Sequence, residues 1–390
     1  MIVTTLIWCI VFLICFSYGL TIFKHLDKDN YKKKLVDKPS TIINVFFLGF
    51  IFCYIFANIL SLFVSISLVA FLCVLLPALI LFAVNNHAKL LLQFIKSITN
   101  SMSLLGLSSV LVLLLFSLWL TSGDIKNSDT YIYHAQSIHW IESYPVIVGL
   151  GNFFNRLAYN SGWFVQNALF SFSFLGGRSF HVLNGLLLFL ISLLFVLEFS
   201  EKSKKKDIGL PQIIGLIIIP LGLITISTQA SAPSTDMPVA YIVWYVSYIS
   251  MRLNKQENLM PDLFLIIGLT AFAFSIKISI APFLILPACL ILLYRKSIHR
   301  KNFFVGFSWL FLILVPWMTR NIIISGYAIY PVGKTGLPVE WRIPDGLVKE
   351  DAFQIRAFGF YERAPADEVM GKPFLERSKF WFFNLTANQK

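Results

Sequence analysis

Asp129 stands in the string SDTYIYHAQ, just past the end of a fully apolar stretch, with Tyr133 and His134 four and five residues behind it. At helical spacing Asp129, Tyr133 and Gln136 share one face and His134 lies beside them. A carboxylate there could take the proton of an attacking hydroxyl, or hold a divalent cation, Mg or Mn, the one cofactor the sequence gives reason to expect. The same side chain could equally cap a helix beginning at Thr130. Asp124, beside Gly123, reads as a turn residue, and His139 and Glu142 fit a solvated helix face.

Four other groups have the right chemistry. Asp236, in STQASAPSTDMP, precedes an apolar run and is either a helix cap or a second acid facing the cavity of Asp129. Lys277, in FSIKISIAPF, either snorkels to the headgroups or meets a phosphate. Arg320, with Asn321 in PWMTRNIIISGYAIYP, is either a headgroup anchor or a bidentate phosphate ligand. Arg156, inside the long polar stretch 121–164, is a further phosphate candidate.

Several chemistries are absent from the sequence. It holds no Walker loop, no GxGxxG, no Cys/His metal spacing and no nucleophile elbow. The five cysteines all fall in apolar runs and read as small hydrophobes, so they report no redox compartment. A net charge of +12 would suggest nucleic acid for a soluble chain, but here it sets membrane orientation, and nucleic-acid binding is rejected. A sequon at Asn384 is short enough to arise by chance.

The elements that must position these residues are membrane helices. Of 390 residues 57% are hydrophobic and 13% charged, with 38 Phe, far beyond an ordinary soluble domain. The expected fold class is an all-α integral membrane protein. Ten spans are expected, at 2–23, 42–64, 66–84, 103–121, 181–199, 209–227, 238–252, 260–276, 278–294 and 303–318. The first has its basic flank behind it, so it reads as a retained anchor with an outside N-terminus. Alternation from there puts 18 Lys and Arg in the inner segments and only 4 outside before residue 318. The apolar segment 163–175 is too short to cross and is expected to lie in the outer interface. The expected organisation is an N-terminal three-helix region at 1–102, a core at 103–318 with an outer catalytic loop at 121–180, and an extracytoplasmic tail at 319–390.

The order of apolar span, long outer loop with an early Asp, aromatic juxtamembrane helix and Phe-His entry to the next span resembles the GT-C class of integral-membrane glycosyltransferases. DTYIYHAQSIHWIESYPVIVGLGNFFNRLAYNS and PWMTRNIIISGYAIYP are similar, more closely, to a bacterial family of multi-spanning membrane proteins that is itself GT-C-like. Its pattern is an Asp-Thr…Tyr-His-x-Gln segment, a Gly-Leu-x-Asn…Arg-Leu segment and an Arg-Asn…Ser-Gly…Tyr-Pro segment, and the likeness covers about 100–340. It implies Asp129 as the catalytic acid with His134 beside it, Asp236 as the second-loop acid and Arg320 as the lipid-phosphate ligand. Thr130 stands where that class often has the Glu of an Asp-Glu pair, and members of the class usually continue past this length with further spans or a soluble domain. The implied function is transfer of a sugar from a polyprenyl-phosphate donor to a glycan, lipid or protein acceptor at the outer face of a bacterial inner membrane. The alternatives are a transporter or flippase of lipid-linked oligosaccharide, which calls for charged or broken helices at the midplane, and a non-catalytic scaffold.

Overall fold

A computed structural model of the chain describes residues 1–28, 31–38, 40–226, 229–253, 259–298, 300–360 and 365–379; the sequon at Asn384 lies outside them. Among the described residues every named element is helical, and the one strand-like pairing is an isolated bridge between Tyr327 and Gly336. The chain divides into two compact units, Met1–Val146 with Ser161–Trp317, and Ile147–Asn160 with Met318–Lys390.

The first unit is a helix bundle. Its helices are α1 (Ile2–Leu26), α2 (Tyr31–Asp37), α3 (Thr41–Leu60), α4 (Leu68–Val84), α5 (His87–Ser101), α6 (Leu104–Thr121) and α7 (Ala135–Ser143). In the second unit the loop helix α8 spans Leu150–Phe153. The first unit resumes with α9 (Gly162–Leu169), α10 (Leu183–Lys204), α11 (Leu210–Ile226), α12 (Asp236–Arg252), α13 (Leu259–Ile276) and α14 (Ile285–Tyr294). A last long helix, α15 (Arg300–Ser325), starts in the first unit and ends in the second, before α16 (Asp345–Phe358) and α17 (Ala366–Met370). Runs of Leu, Ile, Val and Phe take this form because a helix satisfies its backbone polar groups without help from solvent.

Among the described residues, seven helices are long and apolar enough to cross a membrane, or eight if the bent pair α4 and α5 is one span. The ten expected spans all find helices, but three of them, α4, α11 and α12, fall short of that standard taken singly. α11 and α12 have 17 residues each, about 26 Å at 1.5 Å per residue, against roughly 30 Å of hydrocarbon. α5 turns 76° from α4 and buries Leu90 and Phe94 while Lys89 and Lys96 face outward. Leu76, Ile80, Val112, Leu115, Phe304, Phe307 and Phe311 are exposed on α4, α6 and α15, an apolar exterior that lipid solvates and water does not.

α9 corrects the expectation for 163–175. Residues 161–170 are buried without exception, so the segment enters the bundle instead of lying on it. Ser161 Oγ donates to Ile276 O at the end of α13 (3.0 Å), and Gln166 Nε2 donates to Phe50 O, halfway along α3 (3.3 Å). Gly162 permits the entry, because a Cβ there would lie 2.5 Å from Ser275 Oγ and 2.8 Å from the Tyr54 ring. The polar side chains that an interfacial helix would turn to water are bonded internally, with Asn167 Nδ2 donating to Trp163 O (2.9 Å).

The second unit joins fourteen residues of the expected outer loop to the expected tail. Ala158, Tyr327, Tyr330, Ile343 and Val348 form its core. Asp351 accepts from Asn155 Nδ2 (2.8 Å) and from the Tyr330 hydroxyl. Gly149 N donates to Ile323 O (2.8 Å). Gly326 makes the turn after α15 at φ +80°, where a Cβ would lie 2.6 Å from Arg342 Cα.

Candidate functional site

The end of the bundle where α6 stops holds most of the predicted site. The chain leaves α6 at Thr121, and Ser231 Oγ donates to Asp124 O (2.9 Å), tying the turn before α12 to this exit. Thr130–His134 is wound as a π-helix, a wide turn found most often near functional positions. Asp129 precedes it and is exposed. Its side chain does not cap the helix; Asn127 Oδ1 accepts from Thr130 N (3.1 Å) and supplies the cap. The wide turn puts Thr130, His134, Ser137 and Ile138 inward and Asp129 and Gln136 outward.

His134 lies under this surface, 2% exposed, between the Tyr133 ring (4.3 Å) and the Phe164 ring of α9 (5.2 Å). Neither imidazole nitrogen has a hydrogen-bond partner among the described residues. Burial lowers its pKa to about 4, Asp236 opposes the shift, and His181 and Lys277 add to it. Burial lowers His181 to about 4 as well. Both imidazoles are therefore neutral at neutral pH, and Asp236, His181 and Lys277 each lie within electrostatic reach of His134.

Asp236 and Lys277, expected separately as cap and snorkelling lysine, form an ion pair between the ends of α12 and α13. Thr235, not Asp236, stands at the N-cap of α12, and no side-chain bond is made there. The expectation for Glu142 is corrected: it is buried and accepts from Ser179 Oγ at 2.8 Å, while His139 on the same helix is exposed. Among the described residues no group of three or more His, Cys, Asp or Glu converges to hold a metal ion.

Arg320 and Arg156 belong to the second unit. Arg320 falls inside α15, which runs seven residues past the expected end of the last span. It is buried, with Nε donating to Asn160 Oδ1 (3.2 Å). The Arg156 guanidinium lies over the Tyr159 ring (5.7 Å). The string from the outer loop and the string from the end of α15 that carry the family likeness pack together here, through Arg320 with Asn160 and Gly149 with Ile323.

The opposite end of the bundle holds polar chemistry that the motifs in the sequence do not single out. α3 and α13 begin there, α10 and α12 end there, and a cavity of about 410 Å³ opens among them. Glu198 and Asp262 are both buried in it although each lies inside an expected span. Arg252 Nη1 and Ser40 Oγ bond Glu198 Oε1. Asn44 Nδ2 donates to Asp262 Oδ1 (3.0 Å), and the Tyr245 hydroxyl donates to Asn44 Oδ1 (2.7 Å). A single carboxyl in each of two expected spans, 181–199 and 260–276, was the available signal, since an ionisable group inside a span marks function by default.

The low pKa values of His134 and His181 carry a stability consequence. Between about pH 6.5 and 4 the unfolded chain binds protons on these two imidazoles and the folded chain does not, so stability is complete above that window and falls as pH drops through it. The detergent-purified protein is expected to lose melting temperature steadily from pH 7 to 4.5. The variant H134Q/H181Q should flatten that slope; an unchanged slope would assign the acid lability to other groups.

Fold and site together define an all-helical protein of the membrane-embedded type, with polar groups gathered at the two ends of its first-unit bundle. The chain belongs to the family described as a domain of unknown function (DUF8201), which matches residues 1–390. No curated protein and no solved structure matches it.

Proposed function

We propose that the protein is a membrane glycosyltransferase. It moves a sugar from a polyprenyl-phosphate donor to an acceptor hydroxyl at the outer face of a bacterial inner membrane. The observation that carries this reading is Asp129, an exposed carboxylate on a π-turn at the exit of α6, relieved of capping by Asn127. In the step, Asp129 takes the acceptor's proton, the acceptor oxygen bonds the anomeric carbon, and the bond from that carbon to the phosphate oxygen breaks. The leaving polyprenyl phosphate meets Lys277. Its pair with Asp236 is half-exposed, and such pairs are worth about 0–1 kcal/mol, so the ammonium can change partners. Neutral His134, within electrostatic reach of both members of this pair, adds no cation of its own. Arg320 and Arg156 keep their partners in the second unit and are not used.

The direct test is incubation of the purified protein with polyprenyl-phosphate sugars and an acceptor panel, following release of polyprenyl phosphate. Release that requires acceptor supports the reading, and none across the panel removes it. Transport of lipid-linked oligosaccharide is the second reading, and one observation favours it: charged groups and the half-length helix α9 lie within the bundle. Proteoliposomes that move the lipid across the bilayer without cleaving it would favour transport.

Orientation has its own test. With single cysteines placed in a cysteine-free background, position 129 is expected to react with an impermeant maleimide from the outside and position 204 only after permeabilisation. Both labelling from one side would overturn the outer placement of the site.

A further inference from the structure

We propose that the cavity at the α3–α10–α12–α13 end of the bundle is a second binding site, for a small zwitterion that carries a primary ammonium at one end and a phosphate or carboxylate at the other. This does not rest on the transferase reading. Asp236 and Arg252 are the two ends of α12, so at 1.5 Å per residue the cavity lies about 24 Å from the outer ion pair.

The floor of the cavity holds two carboxyl groups, Glu198 and Asp262, both buried, and among the described residues Arg252 is the one cation bonded to either. The guanidinium bonds Glu198 directly and reaches Asp262 only through space. Asp262 receives its hydrogen bond from a neutral amide, Asn44. A buried carboxylate without a bonded cation is costly to keep, and this one opens on a space large enough for a ligand of several heavy atoms. An ammonium beside Asp262 would complete the floor, donating to the carboxylate and to the Glu198 and Ser40 oxygens.

The rim is lined by Lys38, Lys202, Lys205, Glu201 and Asp207. Lys202 pairs with Asp207 and Lys205 with Glu201 (2.7 Å). Both pairs are at the surface, where such contacts contribute little and exchange readily with an incoming anion. A ligand entering with its ammonium first therefore leaves its anionic group beside Lys202 and Lys205, whose surface pairs it can displace. Among the described residues the lining holds no aromatic side chain, so none of them offers a stacking platform for a nucleobase or a sugar face.

A free metabolite and a lipid headgroup share this chemistry, and the test separates them. Wild-type protein in detergent is titrated with O-phosphoethanolamine, ethanolamine, N-acetyl phosphoethanolamine and inorganic phosphate, with heat of binding as the readout. Phosphoethanolamine is expected to bind, ethanolamine about tenfold more weakly, and the acetylated compound and phosphate not measurably. Replacing Asp262 by Asn should weaken phosphoethanolamine by about tenfold or more, the loss of a charged hydrogen-bond partner, while D236N should leave it unchanged. Nanodiscs of phosphatidylethanolamine that block the soluble ligand, where phosphatidylglycerol discs do not, would name the headgroup as occupant; free access in both would name the metabolite. Phosphate or the acetylated compound binding as well as the parent would overturn the proposal, as would no binding at all. The wild-type ligand series discriminates alone, so these outcomes stand even if the D262N protein fails to fold.

Discussion

Replacing Asp129 by Asn is expected to lower sugar transfer by roughly 10²-fold or more while protein level and membrane insertion stay at the wild-type value, since positioned general bases contribute 10²- to 10⁴-fold. The substitution is close to isosteric and removes only the charge and the basicity. It does not disturb the helix start, because Thr130 N bonds Asn127 and not Asp129. The matched control is D124N: the tie at that residue is made by its backbone carbonyl, which accepts from Ser231, and a side-chain change leaves it in place. Wild-type transfer in D129N with loss in D124N or E142Q would move the base elsewhere in the loop. For E142Q, loss of yield would have to be separated from loss of chemistry, because Glu142 is buried on Ser179. If all three keep transfer, this end of the bundle has no general base and the transferase reading fails.

The long spans were legible because about 18 consecutive apolar residues have one stable fate, a helix closed on its own hydrogen bonds. The eight residues of α9 were not. An apolar helix of that length suits an interface and an interior equally, and the choice was made by Tyr54, Phe50 and Ser275, all about a hundred residues away in sequence. Asp129, Asp236, Lys277 and His134 were legible as polar groups at one end of their helices, but their pairing was not. Asp236 lies 41 residues from Lys277, and local sequence offered each a complete bland role as cap or snorkelling chain. The cap falls two residues from its expected place because Asn127 and Asp129 are both good capping types, and only the π-turn decides between them. Asp262 and Glu198 were hidden by averaging, since one carboxyl barely alters the apolarity of a long window. The split of the outer loop was unreadable, because Ile147–Asn160 finds its partners 160 or more residues later.

Substituting Gly49 by Val is expected to abolish recovery of folded, monodisperse protein, and Gly49→Ala to lower the melting temperature sharply. α1 and α3 cross with backbone against backbone: a Cβ on Gly49 would lie 1.8 Å from Cys15 O and 2.8 Å from Gly19 N, and one on Gly19 would lie 1.8 Å from Val45 O. Neither neighbour is a side-chain tip that can swing aside, so the helices must part. Helix association in lipid gains little from burying apolar surface that lipid would cover anyway. It depends on close packing, and small residues at the crossing are what permit it. Parting α1 from α3 loosens the Phe16, Phe46 and Phe50 cluster and the buried Cys15 and Cys53 around it, a loss of several kcal/mol by the usual measure of overpacked and broken cores. Gly306, whose nearest neighbour atom to a Cβ is the Ile267 side chain at 3.8 Å, is the control: G306A should purify and melt like the wild type. Size-exclusion profiles and melting curves of the three variants decide the matter. A G49V protein that remains monodisperse and melts normally would mean that α1 and α3 do not cross at these glycines.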